Sequence, residues 1–425
     1  MLPPDYFTGK EERILSIYQK WEDFVMRDIA RRLLASGGIT STADRLIWKM
    51  QQAGLHRETT IKKLSSLTGM TTKELKTLLQ DAVLTSWEDE ANVMSQIGME
   101  LSYPLENPMV IEVMDAEYKK SLAELENLTR TTMDKTQKDL INLMDDAEIR
   151  VSSGTQSYNA AVCQVLDEYA GKGIKVQYPS GTELTLEAAV RMCVVTSMNQ
   201  TAAQITNQYI AETGCNYVLF SAHSGARVAK EGQPVYAGHD TWQGRAFSIA
   251  GSEPGYPNLL ESTGYDIDPI TGKGTVVDPL GAHGYNCRHS HRMWDKRLEN
   301  PWRDKNGNLI LGDGNILTNT ENERRYKLQQ KQRGMERGIR KTKRQLMIKQ
   351  QQIDKIAETD VKSILQGDYD KMSAKLLQQN KAYNDFCKEN DLQPDYIRNK
   401  VADFGKKQQA QANAGAKRYM NEIKS

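Results

Sequence analysis

Long apolar runs are missing from this sequence. No stretch approaches the roughly 20 apolar residues a bilayer-spanning helix needs, so no membrane segment is expected. The opening MLPPDYFTGKEER lacks a basic stretch followed by an apolar one, so no signal peptide is expected either. Aromatic content is only 7% and hydrophobic content 39%, against 26% charged residues. With 425 residues, that balance argues for two or three domains rich in long polar helices, not for one large core. Cysteine is scarce and odd in number, five without framework spacing, which fits a reducing compartment such as a cytoplasm. Net charge is almost absent, 56 Lys+Arg against 55 Asp+Glu. Electrostatic information must therefore come from local segregation. Familiar catalytic frames are also missing: there is no G-x-S-x-G elbow, no H-E-x-x-H and no paired-carboxylate frame.

Helical periodicity, by contrast, is abundant. Ile14, Ile17, Tyr18, Trp21, Val25, Ile29 and Leu33 recur at three-four spacing, predicting a helix with one buried face that ends at Gly37-Gly38. Ser41 or Thr42 can cap a second helix, closed at Gly54. Two short helices, 59–67 and 72–83, are expected around Thr68-Gly69-Met70. They suit a helical hairpin better than a helix-turn-helix DNA reader, because the second carries only Lys73 and Lys76 for phosphates. Tyr103-Pro104 and Asn107-Pro108 mark a boundary, followed by a long helical pattern from Met114 to Met144 that can bend near Leu128, and another helix over 153–169. The period then changes. Ile174, Val176 and Tyr178 alternate with polar residues before the Pro179-Ser180-Gly181 turn, predicting a β-hairpin. Thr185 can cap a long helix that stops at Gly214, and strands are expected at 216–221 and 245–249.

The fold class expected is α+β, predominantly α-helical. Serially, it comprises an N-terminal helical domain (1–104), connector helices (105–172), a central small-sheet domain with long loops (173–300), and a basic heptad helix with a helical tail (301–425) that can fray. The heptad reading rests on two rows, Leu328, Met335, Thr342, Lys349, Ile356 and Gln332, Ile339, Leu346, Ile353, which suit a helical hairpin or an assembly contact.

Chemistry-bearing residues concentrate between 218 and 297, where five of the six histidines fall. Cys287, His289 and His291 are spaced C-x-H-x-H, and His239 and His223 can complete a four-coordinate zinc site, since thiolate and imidazole are zinc ligands. In the bland alternative Cys287 is a buried small hydrophobe and the histidines bond loop carbonyls. A hydrolytic reading pairs His239-Asp240 with Glu253, or His223 with Ser221 or Ser224. The order His239, Asn286, His289 also evokes a metal-dependent nuclease using Cys287. Separately, residues 324–349 hold eleven Lys and Arg against the single acid Glu336. Such one-sign segregation predicts an outward cationic face for a polyanion or an acidic protein, with Arg333, Arg337, Arg340, Lys341 and Arg344 as its core.

Three runs, SAHSGAR (221–227), GHDTWQGRAFSIAG (238–251) and PLGAHGYNCRHS (279–290), resemble the signature of the phage minor capsid protein 2 family. That family is related to the Mu F-like head-morphogenesis minor capsid proteins of tailed phages. The opening YQKWEDFVMRDIARRL and the basic RRYKLQQKQRGMERGIRKTKRQL resemble the family's N-terminal helices and its helix after the cysteine motif. An insertion at 228–237 and a long passage over 264–279 depart from the family pattern. The resemblance implies a structural, non-enzymatic virion protein, inside the capsid or at the portal vertex, made in the host cytoplasm. Its implied partners are the portal protein and other capsid proteins, and the basic helix suits contact with packaged DNA or neighbouring capsid proteins. The resemblance implies no catalytic residues and no cofactor.

Overall fold

The computed structural model describes residues 1–35, 42–153 and 156–424. Helix α1 spans Glu12–Leu34, α2 Thr42–Ser95, α3 Pro108–Ser152 and α4 Tyr158–Lys172. The hairpin strands β1 (Lys175–Gln177) and β2 (Glu183–Thr185) lead into α5, Leu186–Thr213. Next come β3 (Tyr217–Phe220), β4 (Ala246–Ser248), α6 (Leu259–Thr263), β5 (Tyr265–Ile267), β6 (Gly274–Val276) and β7 (His291–Trp294). Three helices close the chain: α7 Asn319–Lys355, α8 Thr359–Glu389 and α9 Lys406–Lys424. All the sheets among the described residues are small and antiparallel, so the fold is predominantly helical α+β.

Local signals account for most of these bounds. Pro108 opens α3 at the position where a missing N–H costs nothing, and the Asn107 side chain accepts from Met109 N at 3.1 Å. Ser157 caps α4, and Gly173 ends it at φ 68°. Thr185 Oγ1 accepts from Ala188 N at 3.3 Å, as its cap role requires. The predicted ends at Gly37-Gly38 and the Ser41 or Thr42 cap lie outside what the structure describes.

One expectation fails. Residues 42–95 form a single uninterrupted helix, not short helices broken at Gly54 and around Gly69, so there is neither a hairpin nor a helix-turn-helix here. A helical glycine costs only about 1 kcal/mol relative to alanine, which side-chain burial elsewhere on α2 exceeds: Leu67, Leu75, Leu79 and Val83 are all buried. Thr68 and Thr71 hydroxyls bond back to Leu64 O and Leu67 O, so these residues are absorbed into the helix instead of turning it. The tail also does more than fray, since α9 is helical through residue 424.

The chain divides into two compact units, neither of which is a single run of sequence. The first comprises Met1–Arg13, Thr72–Leu125 and Arg191–Gln330; the second Ile14–Thr71, Glu126–Val190 and Lys331–Ser425. The first unit is built around the sheet β4-β3-β7, with β3 central and Val218 set opposite Phe247 on one side and Met293 on the other. Ile205 and Tyr209 of α5, Val83 and Met94 of α2, and Trp242, Tyr265 and Cys287 complete its core. The second unit is helical apart from the β1–β2 hairpin and buries Trp21, Ile29, Ile339, Leu346 and Leu376. In α7 the heptad rows are buried at Gln332, Ile339, Leu346 and Ile353 and at Thr342, Lys349 and Ile356. Within this unit they serve the hairpin alternative: Gln332 bonds Tyr383 on α8, and Lys349 pairs with Asp368 on α8.

Candidate metal centre

The sequence runs singled out above become one loop cluster at the edge of the β3–β7 pair. Trp242 is core, packed edge-on to Phe220 at 5.2 Å, with its indole N–H donated to Tyr236 O. Gln243 Oε1 accepts from His223 N at 3.0 Å, joining the first run to the second. Arg227 donates to Leu280 O and Tyr285 O, joining the first run to the third. Asn322 near the start of α7 bonds both N and O of Ala226. Tight backbone approach explains the glycines of the third run. A Cβ on Gly284 would lie 2.2 Å from Pro279 O, and one on Gly281 2.5 Å from Thr263 O. His283 and Asn286 hold positive φ on either side of Gly284, a region that His and Asn tolerate better than most residues.

This scaffold brings His239, Cys287 and His289 together. Their ligand atoms lie within 4.8 Å of one another, and all three residues are buried. His239 Nδ1 is 3.2 Å from His289 Nδ1, and Cys287 Sγ is 3.8 Å from the same nitrogen. The outer nitrogens have separate partners. His239 Nε2 bonds Leu280 O at 2.9 Å, and His289 Nε2 meets Gln243 Oε1 at 3.2 Å. Burial drives the His239 imidazole down to about 3 and His289 well below its ordinary range, while it pushes the Cys287 thiol up. One thiol and two neutral imidazoles in this arrangement can hold a single borderline-soft ion.

Other candidates are placed elsewhere. His223 lies face to face with the His289 ring, centroids 4.3 Å apart, and it is outside the converging set. His291, the first residue of β7, bonds His283 instead, Nδ1 to Nε2 at 2.8 Å. Asn286 is exposed, so the order His239, Asn286, His289 does not form one site. Glu253 pairs with Lys296 and Tyr217 rather than with His239. The Ser221 hydroxyl accepts from Ser290 N, and His223 Nδ1 meets a backbone carbonyl, Ser224 O.

The sequence reading missed Asn199 and Asn207 of α5. Asn199 Nδ2 donates to Cys287 O and His289 O, both at 3.0 Å, and Asn207 Oδ1 meets His291 Nε2 at 2.9 Å. A signal was present. These two residues are eight apart, about two helical turns, so they lie on nearly the same face of α5, and both are buried.

The basic helix is corrected in part. Arg337 and Lys341 are exposed and Arg333 is half-buried, but Arg340 and Arg344 are buried, as is Lys349. Arg340 pairs with Glu187, Lys349 pairs with Asp167 and Asp368, and Arg344 Nε donates to Ala170 O. The expected outward display of most cations therefore fails for these three. Their counter-charges come from α4, α5 and α8, and counting acids on α7 alone could not reveal them.

A scan against family models matches the phage minor capsid protein 2 family over residues 2–388. No curated protein matches the chain. No solved structure matches it. No described helix is long and apolar enough to cross a membrane. With the family model covering nearly the whole length, and with all three signature runs assembled into one loop cluster, the chain belongs to the phage minor capsid protein 2 family, structural proteins of the virion.

Proposed function

We propose that the protein is a low-copy component of the phage head, seated at the portal vertex, where it supports head assembly or DNA delivery without catalysing a reaction. The family match over residues 2–388 carries this reading. The geometry agrees with it. The second unit presents the exposed cations Lys331, Arg337 and Lys341 along α7, charges of the sign that phosphates or an acidic capsid face attract. Portal protein and other capsid proteins are its partners in this reading, and packaged DNA meets the exposed cations. Crosslinking mass spectrometry on assembled heads tests it. Crosslinks between this chain and the portal protein are expected. Crosslinks confined to the major capsid lattice, far from the vertex, would remove the portal assignment.

A further inference from the structure

The two buried histidine pairs of the first unit differ in a way that hydrogen-bond bookkeeping makes decisive. In the pair His283–His291, Asn199 Nδ2 is committed to two backbone carbonyls, so Asn199 Oδ1 must accept from His283 Nδ1, at 3.1 Å. His283 Nε2 is then a lone pair facing His291 Nδ1. His291 can supply that proton. Its Nε2 then needs a donor, where Asn207 as placed presents Oδ1 and gives its Nδ2 to the Tyr265 hydroxyl at 2.7 Å. Turning that amide over supplies an NH2 donor to His291 Nε2 and lets the amide oxygen accept from the Tyr265 hydroxyl, and no neighbour named here fixes the amide against the turn. With it, every site in this chain of groups is satisfied by protons alone.

The pair His239–His289 has no such solution. Leu280 O is a carbonyl, so His239 Nε2 must carry the proton, leaving His239 Nδ1 a lone pair. Gln243 Oε1 is fixed as an acceptor by the backbone N–H of His223, because the reversed amide would set donor against donor at 3.0 Å. His289 Nε2 must therefore donate to it, leaving His289 Nδ1 a lone pair as well. Two lone pairs then face each other 3.2 Å apart in a buried site, with the sulfur of Cys287 on the same side. A proton shared between them would bury an imidazolium whose hydrogen-bond partners include no carboxylate.

We propose that this site binds one zinc ion through His239 Nδ1, His289 Nδ1 and the Cys287 thiolate, and that the ion locks the 238–251 and 279–290 loops to the root of β7. Two of the three separations agree, and the third, Cys287 Sγ to the His239 ring, lies within 4.8 Å. At zinc–nitrogen bonds of about 2.0–2.1 Å and a zinc–sulfur bond of about 2.3 Å, tetrahedral ligands sit roughly 3.3 Å (N to N) and 3.6 Å (S to N) apart. The observed separations are 3.2 and 3.8 Å. The outer shell agrees too, since metal-bound imidazoles characteristically donate their other N–H to a carbonyl or similar acceptor, as both do here. Binding displaces one proton, from the Cys287 thiol to solvent, because the thiolate is the ligand. His223 stays a stacked ring on His289, and a small molecule such as water takes the fourth position. The ion's role is structural: it ties the turn that carries His239 to the Cys287–His289 segment that leads into β7. This inference is independent of the portal assignment, since a structural ion in this loop cluster does not depend on where in the head the protein sits.

The test uses the full-length protein, purified without added metal and without chelator. Elemental analysis is expected to find close to one zinc per chain. Cobalt exchanged into the site is expected to give a thiolate-to-cobalt charge-transfer band together with the intense visible bands of tetrahedral coordination. His239→Ala, His289→Ala and Cys287→Ser are each expected to lower the metal content at least tenfold, whereas His223→Ala and Cys193→Ser leave it unchanged. Should the ligand variants not fold, the wild-type cobalt spectrum decides alone. Absence of both zinc and cobalt binding overturns the proposal, as does a cobalt spectrum without a thiolate band. Loss of metal in His223→Ala overturns the three-ligand assignment.

Discussion

Replacing Arg340 distinguishes a cation that holds the fold from one that faces a partner. Its guanidinium and the Glu187 carboxylate are both almost fully buried, and Arg340 also donates to Arg398 O. Burial outweighs pairing for both groups: it pushes the Glu187 carboxyl up and the Arg340 guanidinium down from their ordinary ranges. A pair whose desolvation exceeds its attraction contributes little as a pair, yet removing one member strands the other. Arg340→Ala or Glu187→Gln should each cost about 3–5 kcal/mol, while the apolar double variant Arg340→Met/Glu187→Leu should be within about 1 kcal/mol of wild type or more stable. For a unit of roughly two hundred residues, each kcal/mol moves the melting midpoint by about 2–4 °C, so the single variants should melt roughly 6–20 °C lower. The matching surface control is Arg337→Glu with Lys341→Glu, both exposed, which should stay within about 0.5 kcal/mol. Scanning calorimetry or circular dichroism, with the double variant in the same series, reads all of these. A single variant that melts within about 2 °C of wild type would refute the reasoning, as would a double variant no better than the singles.

Three further outcomes follow from other parts of the chain. Nucleic-acid affinity, where present, should fall with salt at a log–log slope near −3 if Lys331, Arg337 and Lys341 each neutralise one phosphate, and the double charge reversal should flatten it; a slope unaffected by the reversal moves the contact elsewhere. Asp23, buried beside Glu22, has its carboxyl pushed up to about 7 chiefly by burial. The folded chain thus keeps a proton that the unfolded chain releases near pH 4, and stability is lost as pH rises from about 4 to about 7. Asp23→Asn should flatten that slope and melt higher than wild type at pH 8; an unchanged slope counts against it. Glycine replacements should split by site. Gly69→Ala, with open space at the new Cβ on α2, should gain about 0.5–1 kcal/mol, whereas Gly284→Ala, driven onto Pro279 O, should lose 1–3 kcal/mol or more by thermal or denaturant melts.

How much of this was legible in the sequence varies with the range of the interaction. The buried stripe of α1, the hairpin β1–β2, the Thr185 cap and the stop at Gly214 are local, and the residues that cause them sit within a few positions of one another. The run of Cys287 and His289 was visible as a ligand pattern, but which other histidine joins them was not. His239 and His223 are sixteen apart, and only the 3₁₀ turn at His239–Thr241 and the stacked His223 ring separate their roles. The strand β7 was hidden because His291 and Arg292 are polar yet buried, satisfied by Asn207 on α5 and Asp89 on α2. The same blindness misplaced Arg340 and Arg344. Periodicity reveals which face of a helix is apolar, but a buried cation reads as a surface one until its acid, 153 positions away at Glu187, is brought beside it.

The portal-vertex assignment is tested most directly by counting. Quantitative mass spectrometry of purified, DNA-filled heads, normalised to the portal and major capsid proteins, should find this chain present at an abundance comparable to the portal subunit and far below the capsid lattice. Its absence from DNA-filled heads, or an abundance matching the major capsid protein, would contradict the account.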